Sequence, residues 1–459
     1  MNTENYFDMV ILGGGPAGTS AAFRAVEAGM KTALVESGFL GGTCLNVGCI
    51  PTKYLLGGTA ALPLLSVQKK YKVAQGDIQF SLEALQSRKD RYIKGTRQAL
   101  EKQLREAGVT LFSGRGLFDG QQSLNVKSKE GEQRLSFGKC IVATGSAPAS
   151  FPGLKPDGAT VCGSASLLCL TQIPENLIIV GAGAIGLELG EIFHRFGTKI
   201  ILCDLAPRVL SGEDPEISEA VHAYHSREGW IIHTGRRIES LSTVDGQSEL
   251  HFSDGERIRA AMSLVAVGRR STASMLAPEK AGLALHPKGW LAAGADLRCA
   301  EHVYAVGDVN GRVLLAHAAD HQARYAVAHA AGNAVAEYTP PPMPSCIYGS
   351  MEVMRVGPTL KELQAENGDA IFQSRAALAG NAIAQSYGHP QGFVRMLWRN
   401  ETIVSISAVG HGVSHLVSAA ALLIGKKIQK NVPLPLIFAH PTLDEALESA
   451  IVATKENIQ

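Results

Sequence analysis

Short apolar runs recur along the chain, and each is followed by a glycine-rich turn and a stretch of helical character. Residues 9–12 and 177–180 are apolar runs of strand length, and a glycine follows each directly. Beyond each turn, a predicted helix leads to a second apolar run, at residues 32–35 and 200–203. Strands that alternate with helices in this way favour an α/β fold built on parallel sheets.

The two copies of this pattern share their spacing. In each copy 23 positions separate the first glycine from an acidic residue, Gly13 from Glu36 and Gly181 from Asp204. A glycine turn between a strand and a helix, with an acid at the tip of the next strand, is typical of dinucleotide binding. The glycines allow the backbone to approach a pyrophosphate at the helix N-terminus, and the carboxylate accepts hydrogen bonds from ribose hydroxyls.

Two such motifs predict two dinucleotides, most economically a flavin and a nicotinamide. Glycines that only close the packing of strand against helix are the alternative for either motif alone. The predicted contacts are Gly13, Gly15, Pro16, Ala17, Gly18 and Glu36 in the first motif and Gly181, Gly183, Ile185, Gly186 and Asp204 in the second.

Composition and charge limit the classes of function. The chain has 459 residues, enough for about three domains of roughly 150 residues each. Its formal net charge of +1 supplies no global field that would attract nucleic acid or an anionic membrane. The first five residues lack the basic flank of a signal peptide, and no apolar run approaches the roughly 18 residues of a membrane-spanning helix. We therefore expect a cytoplasmic protein that binds neither nucleic acid nor membrane.

Two of the eight cysteines lie close together, within the segment 41–53, GGTCLNVGCIPTK. Cys44 and Cys49 follow the first acidic strand tip almost at once, so both sulfurs are expected beside the dinucleotide of the first motif. No second Cys or His pair lies nearby at short spacing, and we predict no metal site. A pair of inert core thiols is the other alternative. The residues after Cys49 have helical character, so we expect both cysteines near the N-terminus of this helix, where the helix dipole lowers the pKa of a thiol and favours the reactive thiolate.

The remaining six cysteines are expected to be small core residues rather than catalysts. They are Cys140, Cys162, Cys169, Cys203, Cys299 and Cys346.

Together these features resemble the pyridine nucleotide-disulfide oxidoreductase family. The resemblance rests on the two dinucleotide motifs, the whole run 41–53, the turns Ala143-Thr144-Gly145 and Gly307-Asp308, and His440-Pro441-Thr442. It covers essentially the whole chain, and the run 41–53 is its most specific part. The Ile-Pro-Thr-Lys that follows Cys49 is more similar to the branch that acts on lipoyl groups than to the glutathione branch.

The resemblance implies a two-electron relay. A dihydrolipoyl substrate would exchange with a Cys44–Cys49 disulfide, in which Cys44 is the interchange thiol and Cys49 faces FAD, and reduced FAD would then reduce NAD⁺. Lys53 resembles the family lysine beneath the flavin, and Glu188 resembles its ion-pair partner. A solvated surface charge is the alternative for each, although Glu188 lies in an apolar helical run where a bare carboxylate would be costly.

His440, one of 14 histidines, is the predicted base of the exchange reaction, because histidine titrates in the suitable range. In the family this histidine serves the active site of the opposite subunit, and a glutamate five positions later, here Glu445, orients its ring. The resemblance therefore implies that a homodimer is the catalytic unit. Glu445 also fits a capping box, with Thr442 as the N-cap and Glu445 as the third helical residue, and one carboxylate oxygen cannot serve both roles.

The resemblance also implies the fold: two Rossmann-like dinucleotide-binding domains, for FAD and NAD, and a C-terminal α+β dimerisation domain. The FAD-binding domain is predicted in two parts, residues 1–150 and 270–340. The NAD-binding domain, residues 151–269, is inserted between them, and the dimerisation domain, residues 341–459, follows a proline-rich break. Further cofactor contacts implied by the resemblance are Gly42, Thr43, Lys53, Thr144, Gly145, Glu188, Gly268, Gly307, Asp308, Leu315, Ala316 and His317.

Several positions bear on substrate choice. Asp204 favours NAD over NADP, because a carboxylate repels a 2′-phosphate, and Arg208 would soften that preference. The predicted dimerisation domain departs from the family pattern at three places. The segment 348–352 lacks the usual Thr and Pro, His415 stands where Glu is typical, and Phe438 stands where a second His is often found.

These departures leave the relay intact but put the carrier in doubt. The implied partner is a lipoyl-bearing carrier protein or domain. The enzyme alternatives are a reductase of another disulfide, such as glutathione, and a mercuric ion reductase, which the absence of a C-terminal cysteine pair disfavours. The alternative from another class is a non-catalytic flavoprotein that senses redox state.

Overall fold

The structure is a computed structural model that describes residues 5–76, 79–333, 336–366, 368–430 and 436–458. Residues 1–4, which belong to the segment examined for a signal peptide, lie outside the described residues. No helix in the described ranges combines the length and the apolar character needed to cross a membrane.

Strands and helices alternate along the described chain. The strands are β1 Tyr6–Leu12, β2 Thr32–Glu36, β3 Thr110–Ser113, β4 Arg115–Gly120, β5 Ser123–Ser128, β6 Gly131–Val142, β7 Ser146–Pro148, β8 Val161–Gly163, β9 Asn176–Val180, β10 Lys199–Cys203, β11 Ile231–His233, β12 Ile238–Val244, β13 Gln247–Phe252, β14 Arg257–Ala260, β15 Met262–Val265, β16 Arg269–Ser271, β17 Arg298–Ala300, β18 Val303–Ala305, β19 Pro344–Ile347, β20 Glu352–Val356, β21 Ile371–Ala377, β22 Gly392–Arg399, β23 Thr402–Gly410 and β24 Glu456–Asn457. The helices are α1 Pro16–Glu27, α2 Gly42–Val47, α3 Cys49–Gly58, α4 Ala61–Lys70, α5 Leu82–Glu106, α6 Ser164–Leu167, α7 Ala184–Arg195, α8 Pro215–Arg227, α9 Ala316–Ala330, α10 Leu360–Ala365, α11 Ala382–Ser386, α12 Val417–Gly425 and α13 Glu445–Val452.

The chain forms two compact units, each assembled from three segments. The first unit comprises Met1–Thr52, Gln86–Ala149 and Gly268–Pro340. Its main sheet has the order β17-β18-β6-β1-β2-β3, and the strands from β18 to β3 run parallel. The hairpin β4–β5 extends the sheet antiparallel to the first part of β6.

Two alanine-rich helices of this unit pack against each other beside the sheet. Ala21 and Ala25 of α1 share a fully buried core with Ala323 and Ala326 of α9. Small side chains let two helix backbones approach closely, and the apolar strand β1 lies beneath them, buried along residues 9–12. The glycine turn after β1 is therefore held on a rigid strand–helix junction.

The second unit comprises Lys53–Leu85, Ser150–Val267 and Pro341–Gln459. Its parallel sheet has the order β11-β10-β9-β15-β8, and a three-stranded antiparallel sheet, β12-β13-β14, accompanies it. In this parallel sheet β9 and β10 carry the second glycine motif, and they pair in register from Asn176 opposite Lys199 to Val180 opposite Cys203.

The C-terminal part of the second unit is an antiparallel sheet covered by helices. Its strand order is β19-β20-β23-β22-β21-β24, and α12 and α13 contribute to the same core. Trp398 is fully buried there, and its indole N–H donates to Ser374 Oγ at 2.8 Å. Two sheets of Rossmann type and a C-terminal α+β portion confirm the predicted fold class. The division at residues 150, 270 and 340 stays a prediction.

Candidate functional site

The acidic residues at the two strand tips make the same pair of contacts. Glu36 Oε2 accepts from the N–H of Gly14 at 2.6 Å, and Glu36 Oε1 accepts from Gly38 at 2.6 Å. Asp204 Oδ2 accepts from Ala182 at 2.6 Å, and Asp204 Oδ1 accepts from the residue two positions later at 2.7 Å. Each carboxylate is thus held against the middle of its Gly-x-Gly turn, and its remaining lone pairs are available for a ribose.

The glycines of the first motif divide into two kinds. A Cβ on Gly18 would overlap the carbonyl of Gly13, and one on Gly13, which has φ +100°, would overlap the carbonyl of Ala143. These two glycines are required by packing alone. A Cβ on Gly15 would meet only the Cα of Gly42, at 3.8 Å.

The second motif repeats this division. Gly181 and Gly186 are crowded by backbone, whereas a Cβ on Gly183 would meet nothing within 4 Å. Packing therefore does not explain Gly15 or Gly183, but the close approach of a ligand to the backbone does. The first turn of α1 holds Pro16, Ala17 and Gly18, and the first turn of α7 holds Ile185 and Gly186. Both turns fit a dinucleotide pyrophosphate.

A cavity of about 180 Å³ lies beside the first motif, within the first unit. Gly13, Glu36 and Thr144 line it, and so do residues that sequence reasoning missed: Ser37, Gly114, Arg115, Gly116, Thr272, Met275 and Leu276. Ser37 directly follows Glu36, but the other missed residues come from the start of β4 with the residue before it, and from the segment after β16. Only the folded sheet brings these others to the motif. The cavity fits the adenosine end of FAD, with Glu36 placed for its ribose.

Asp308 belongs to a polar cluster that sequence reasoning did not assemble. Ser146 Oγ donates to Asp308 Oδ2 at 2.5 Å, and Arg269 donates to Ser146 Oγ at 2.5 Å and to its carbonyl at 2.8 Å. The N–H of Gly307 donates to buried Gln322 of α9 at 2.8 Å. These contacts hold Asp308 after β18, where the resemblance places a flavin contact.

The other contacts implied by the resemblance in this unit lie at element ends. Thr144 and Gly145 follow β6, and Gly268, with φ +111°, precedes β16. Leu315 is the N-cap of α9, whose first two residues are Ala316 and the exposed His317. The N-terminus of this helix carries the positive end of the helix dipole, which suits an electronegative edge of a cofactor.

The segment 41–53 forms two successive short helices. Gly42 and Thr43 open α2, Cys44 follows them half-buried, and Cys49 is the exposed first residue of α3. Each cysteine therefore lies in the first turn of a helix: Cys49 begins α3 as predicted, whereas Cys44 belongs to the separate helix α2. Of the six other cysteines expected in the core, Cys169 is exposed, so the expectation is wrong for that residue.

Asn46, between the cysteines, fixes the start of this segment. Its amide donates to the carbonyls of Leu40 at 3.0 Å and Gly42 at 2.8 Å. Its oxygen accepts from Arg97 of α5 at 3.1 Å, and the Arg97 guanidinium stacks 3.6 Å above the Phe39 ring. Asn46 and Arg97 are thus positioning groups that sequence reasoning did not single out.

Lys53 and Glu188 form an ion pair within the second unit. Lys53 Nζ lies 2.5 Å from Glu188 Oε2, and the Glu188 side chain is only 8% exposed. The N–H of Tyr348 donates to Glu188 Oε1 at 3.1 Å, and Lys53 Nζ lies 4.5 Å from the centre of the Tyr348 ring. Burial raises the pKa of Glu188, and the charge of Lys53 partly offsets this. The surface-charge alternative for Glu188 is therefore wrong.

His440 and Glu445 also meet. His440 Nδ1 lies 2.8 Å from Glu445 Oε1, and the N–H of Thr442 donates to Glu445 Oε2 at 2.9 Å. The hydrogen bonds from His440 and Thr442 lower the pKa of Glu445. The His440 side chain is 79% exposed.

The capping-box interpretation of this segment is wrong in part. Helix α13 begins at Glu445 with Asp444 as its N-cap, and the Thr442 hydroxyl donates to the Ala439 carbonyl. Of the two hydrogen bonds of a capping box, only the one from the Thr442 N–H to Glu445 is present. The chain turns at Pro441, and the helix therefore begins later than the spacing predicts. Glu445 satisfies both groups because it uses a different oxygen for each.

Two of the departures from the family pattern lie on the surface or near it. His415 is exposed, and Phe438 is half-buried against the core of the C-terminal part. The third, the segment 348–352, contacts the Lys53–Glu188 pair through Tyr348, as described above.

Known families and proteins match almost the entire chain. Residues 7–323 match the family described as pyridine nucleotide-disulphide oxidoreductase, and residues 343–451 match its dimerisation domain, which supports a homodimer. A dihydrolipoyl dehydrogenase from Chlorobaculum tepidum is 31% identical over 452 residues, 97% of this chain and 96% of the relative. One from Bacillus subtilis is 31% identical and covers 97% of this chain and 98% of its own.

Solved structures support the same fold. LpdA from Mycobacterium tuberculosis superposes with a TM-score of 0.88 at 24% identity, over 96% of this chain and 98% of its own. The HOCl-induced flavoprotein disulfide reductase RclA from Escherichia coli gives a TM-score of 0.85 at 23% identity, over 97% and 99%. From the family matches and the near-complete relatives, the chain belongs to the pyridine nucleotide-disulphide oxidoreductases, whose cofactors are FAD and NAD.

Proposed function

We propose that the protein is a dihydrolipoyl dehydrogenase, which oxidises a dihydrolipoyl group to a lipoyl group and reduces NAD⁺ to NADH. The observation that carries the proposal is the run 41–53, which places Cys44 and the exposed Cys49 in the first turns of α2 and α3. The relatives that share nearly the whole chain bear this name. The lipoyl-bearing carrier is part of the proposal.

The exchange step balances as two sulfur displacements. One substrate thiolate attacks the Cys44 sulfur of a Cys44–Cys49 disulfide, the S–S bond breaks, and Cys49 leaves as a thiolate. The second substrate thiol then attacks the substrate sulfur of this mixed disulfide and closes the lipoyl ring, and its proton passes to the Cys44 sulfur as that sulfur is released. The substrate loses two electrons and two protons, and the two cysteines gain the electrons. The α3 N-terminus stabilises the Cys49 thiolate.

His440 is the base that accepts the proton of the first substrate thiol. Because its Nδ1 faces the Glu445 carboxylate, Nδ1 carries the hydrogen and Nε2 is left as the acceptor. The exposed ring suits a role toward another surface, and we assign it to the cysteine pair of the partner subunit. The homodimer is then the catalytic unit.

The chain's own residues hold both cofactors. When bound, FAD would supply the two-electron chemistry that links the reduced cysteines to NAD⁺. Glu36 and Asp204 would accept hydrogen bonds from the ribose hydroxyls of the two cofactors. Gly15 and Gly183 leave room for the two pyrophosphates. Lys53, placed by its ion pair with Glu188, supplies a positive charge to the flavin. Asp204 disfavours a 2′-phosphate, so a lower KM for NAD(H) than for NADP(H) is expected.

The decisive experiment compares substrates on the purified yellow holoenzyme. Dihydrolipoamide with NAD⁺ is compared with glutathione disulfide with NADH or NADPH, in wild type, Cys49→Ser and the control Cys169→Ser, which alters an exposed cysteine far along the chain. We expect turnover of dihydrolipoamide that Cys49→Ser abolishes and Cys169→Ser retains. Preferred turnover of glutathione disulfide would replace the lipoyl assignment, and a yellow protein with neither activity would favour redox sensing.

A second candidate is a reductase of a different disulfide. The observation that favours it is the exposed His415, together with Phe438 and the unusual segment 348–352, all in the C-terminal part of the second unit. These residues leave the cysteines and both glycine motifs unchanged, so they bear on which disulfide is accepted and not on the relay.

A further inference from the structure

Two buried carboxylates stand three positions apart on α7, and only the first has a role in the proposed function. Glu188 pairs with Lys53, while Glu191 is 3% exposed and pairs with Arg195. Residues three apart lie on the same face of a helix. A second buried carboxylate beside the first is costly unless it has dedicated partners.

Glu191 has two such partners. Arg195 of the same helix donates through Nε to Glu191 Oε1 at 2.8 Å, and the hydroxyl of Ser350 donates to the same oxygen. Burial opposes ionisation of Glu191, but the charge of Arg195 and the bond from Ser350 outweigh it and lower the pKa of the carboxyl. A buried, ionised Glu191 is thus tied to a residue of the turn between β19 and β20.

This turn contacts both carboxylates. The N–H of Tyr348 donates to Glu188, and two residues later the hydroxyl of Ser350 donates to Glu191. Gly349, between them, lies so close to Glu191 that a Cβ would stand 3.4 Å from its Cγ. Glu188 and Glu191 of α7 therefore hold the turn at two points, one at Tyr348 and one at Ser350.

Tyr348 in turn contacts both partners of the ion pair. Its N–H donates to Glu188, and its ring lies 4.5 Å from Lys53 Nζ. The turn between β19 and β20 therefore contacts both charged groups of the Lys53–Glu188 pair.

Arg195 connects the same turn to the helix that carries Lys53. Its Nη2 donates to Ser350 Oγ at 3.2 Å, and its Nη1 donates to the Leu56 carbonyl at 2.9 Å and to Thr59 Oγ1 at 3.2 Å. Leu56 lies one turn beyond Lys53 on α3. One buried guanidinium thus fixes the helix end, the turn and Glu191 together.

We propose that Ser350, acting through Glu191 and Arg195, is a positioning residue that fixes the Lys53–Glu188 ion pair and so sets the reduction potential of the bound flavin. This inference rests on the proposed function only in that Lys53 supplies charge to FAD. A cation that is held less well stabilises the added electrons less, so loosening the turn lowers the potential.

The test measures the midpoint potential and visible spectrum of the FAD holoenzyme, for wild type, Ser350→Ala, Ser350→Thr and Ser405→Ala. Ser405 is the matched control, because it is a buried serine of the same unit whose hydroxyl donates to the Val356 carbonyl. We expect Ser350→Ala to change the equilibrium constant for two-electron flavin reduction about tenfold, a fall of about 30 mV. Ser350→Thr keeps the hydroxyl, so its midpoint potential should lie close to that of wild type. Ser405→Ala should have the wild-type midpoint potential.

Three results would overturn the proposal: a wild-type potential in Ser350→Ala, no recovery in Ser350→Thr, or an equal shift in Ser405→Ala. If Ser350→Ala does not fold, Glu191→Gln is measured instead, since the amide weakens the same contacts while keeping the shape. A normal potential there counts against the proposal. Because the readout needs no dithiol, failure of dihydrolipoamide turnover leaves this test intact, and failure to bind FAD contradicts the proposed function itself.

Discussion

Glu445 divides its carboxylate between His440 and the backbone. One oxygen lies 2.8 Å from His440 Nδ1, and the other accepts the N–H of Thr442 at 2.9 Å. The second bond anchors the carboxylate to the turn that also carries His440, so the ring and its partner are placed by the same six residues, 440–445. Orientation of the base is therefore local, although the base itself is proposed to act in the partner subunit.

Replacing Glu445 by Gln separates these two contacts. An amide has one oxygen, so either His440 or Thr442 loses its acceptor, and the imidazolium formed during proton transfer loses its counter-charge. We expect kcat with dihydrolipoamide to fall about tenfold, against roughly 10²- to 10⁴-fold for His440→Gln. Steady-state kinetics on both variants check this.

The control for that prediction is Glu448→Gln, which removes a carboxylate from the first turn of the same helix. It should retain wild-type kinetics. Equal losses in Glu448→Gln and Glu445→Gln would mean that the effect comes from helix α13 in general and not from the His440 contact.

The two glycines at the start of α7 should respond differently to alanine. In Gly183→Ala the added methyl group enters open space, so the fold is unaffected and only the approach of NAD is hindered. In Gly186→Ala the methyl group overlaps the Gly181 carbonyl and should destabilise the protein by about 1–3 kcal/mol. We expect a KM for NAD raised about tenfold with an unchanged thermal midpoint for the first variant, and a lowered midpoint for the second.

A wild-type KM in Gly183→Ala would contradict the placement of the pyrophosphate. Calorimetry of each variant without NAD separates the effect on folding from the effect on binding.

His225 should make stability depend on pH. Burial lowers its pKa to about 4; Glu191 works in the opposite direction, and His194 and His222 add to the lowering. Its Nδ1 has no hydrogen-bond partner among the described residues. Between pH 6.5 and about 4 the unfolded chain binds a proton that the native protein does not, so stability falls as pH falls, by roughly 3 kcal/mol in all.

Denaturant titrations of wild type and His225→Gln across this pH range test the assignment. Between pH 6.5 and about 4.5 the free energy of unfolding should fall much less in His225→Gln than in wild type. A parallel decline in both proteins would place the responsible group elsewhere.

Arg395 and Asp214 form an almost fully buried ion pair, 2% and 4% exposed, at 2.9 Å. Asp214 precedes α8, and its Oδ1 accepts the N–H of Leu360 at 3.0 Å. Arg395→Met leaves this carboxylate buried without its cation, which typically costs about 3–5 kcal/mol. We expect Arg395→Met to lower the thermal midpoint by several degrees. The double variant Arg395→Met with Asp214→Asn should recover most of that loss. Additive losses in the double variant would show that the two residues are not coupled.

The sequence by itself determined the features that depend on a few neighbouring residues. The two glycine motifs, their acidic strand tips and the run 41–53 impose backbone constraints that act within one strand–turn–helix unit, so pattern and spacing were sufficient to predict the α/β fold. The pairings of Lys53 with Glu188 and of His440 with Glu445 were also anticipated, but only through resemblance to the family.

Tertiary structure alone decided the contacts that join distant segments. Ser350 and Glu191 are 159 positions apart, and Arg115 reaches the first motif only because β4 folds back beside it. Such contacts depend on strand register and on how helices pack, and hydrophobic pattern does not encode either at the level of single side chains. For the same reason, the first turn of α13 begins three residues after the predicted cap: the turn at Pro441, and not the local Thr-x-x-Glu pattern, decides where the helix can start.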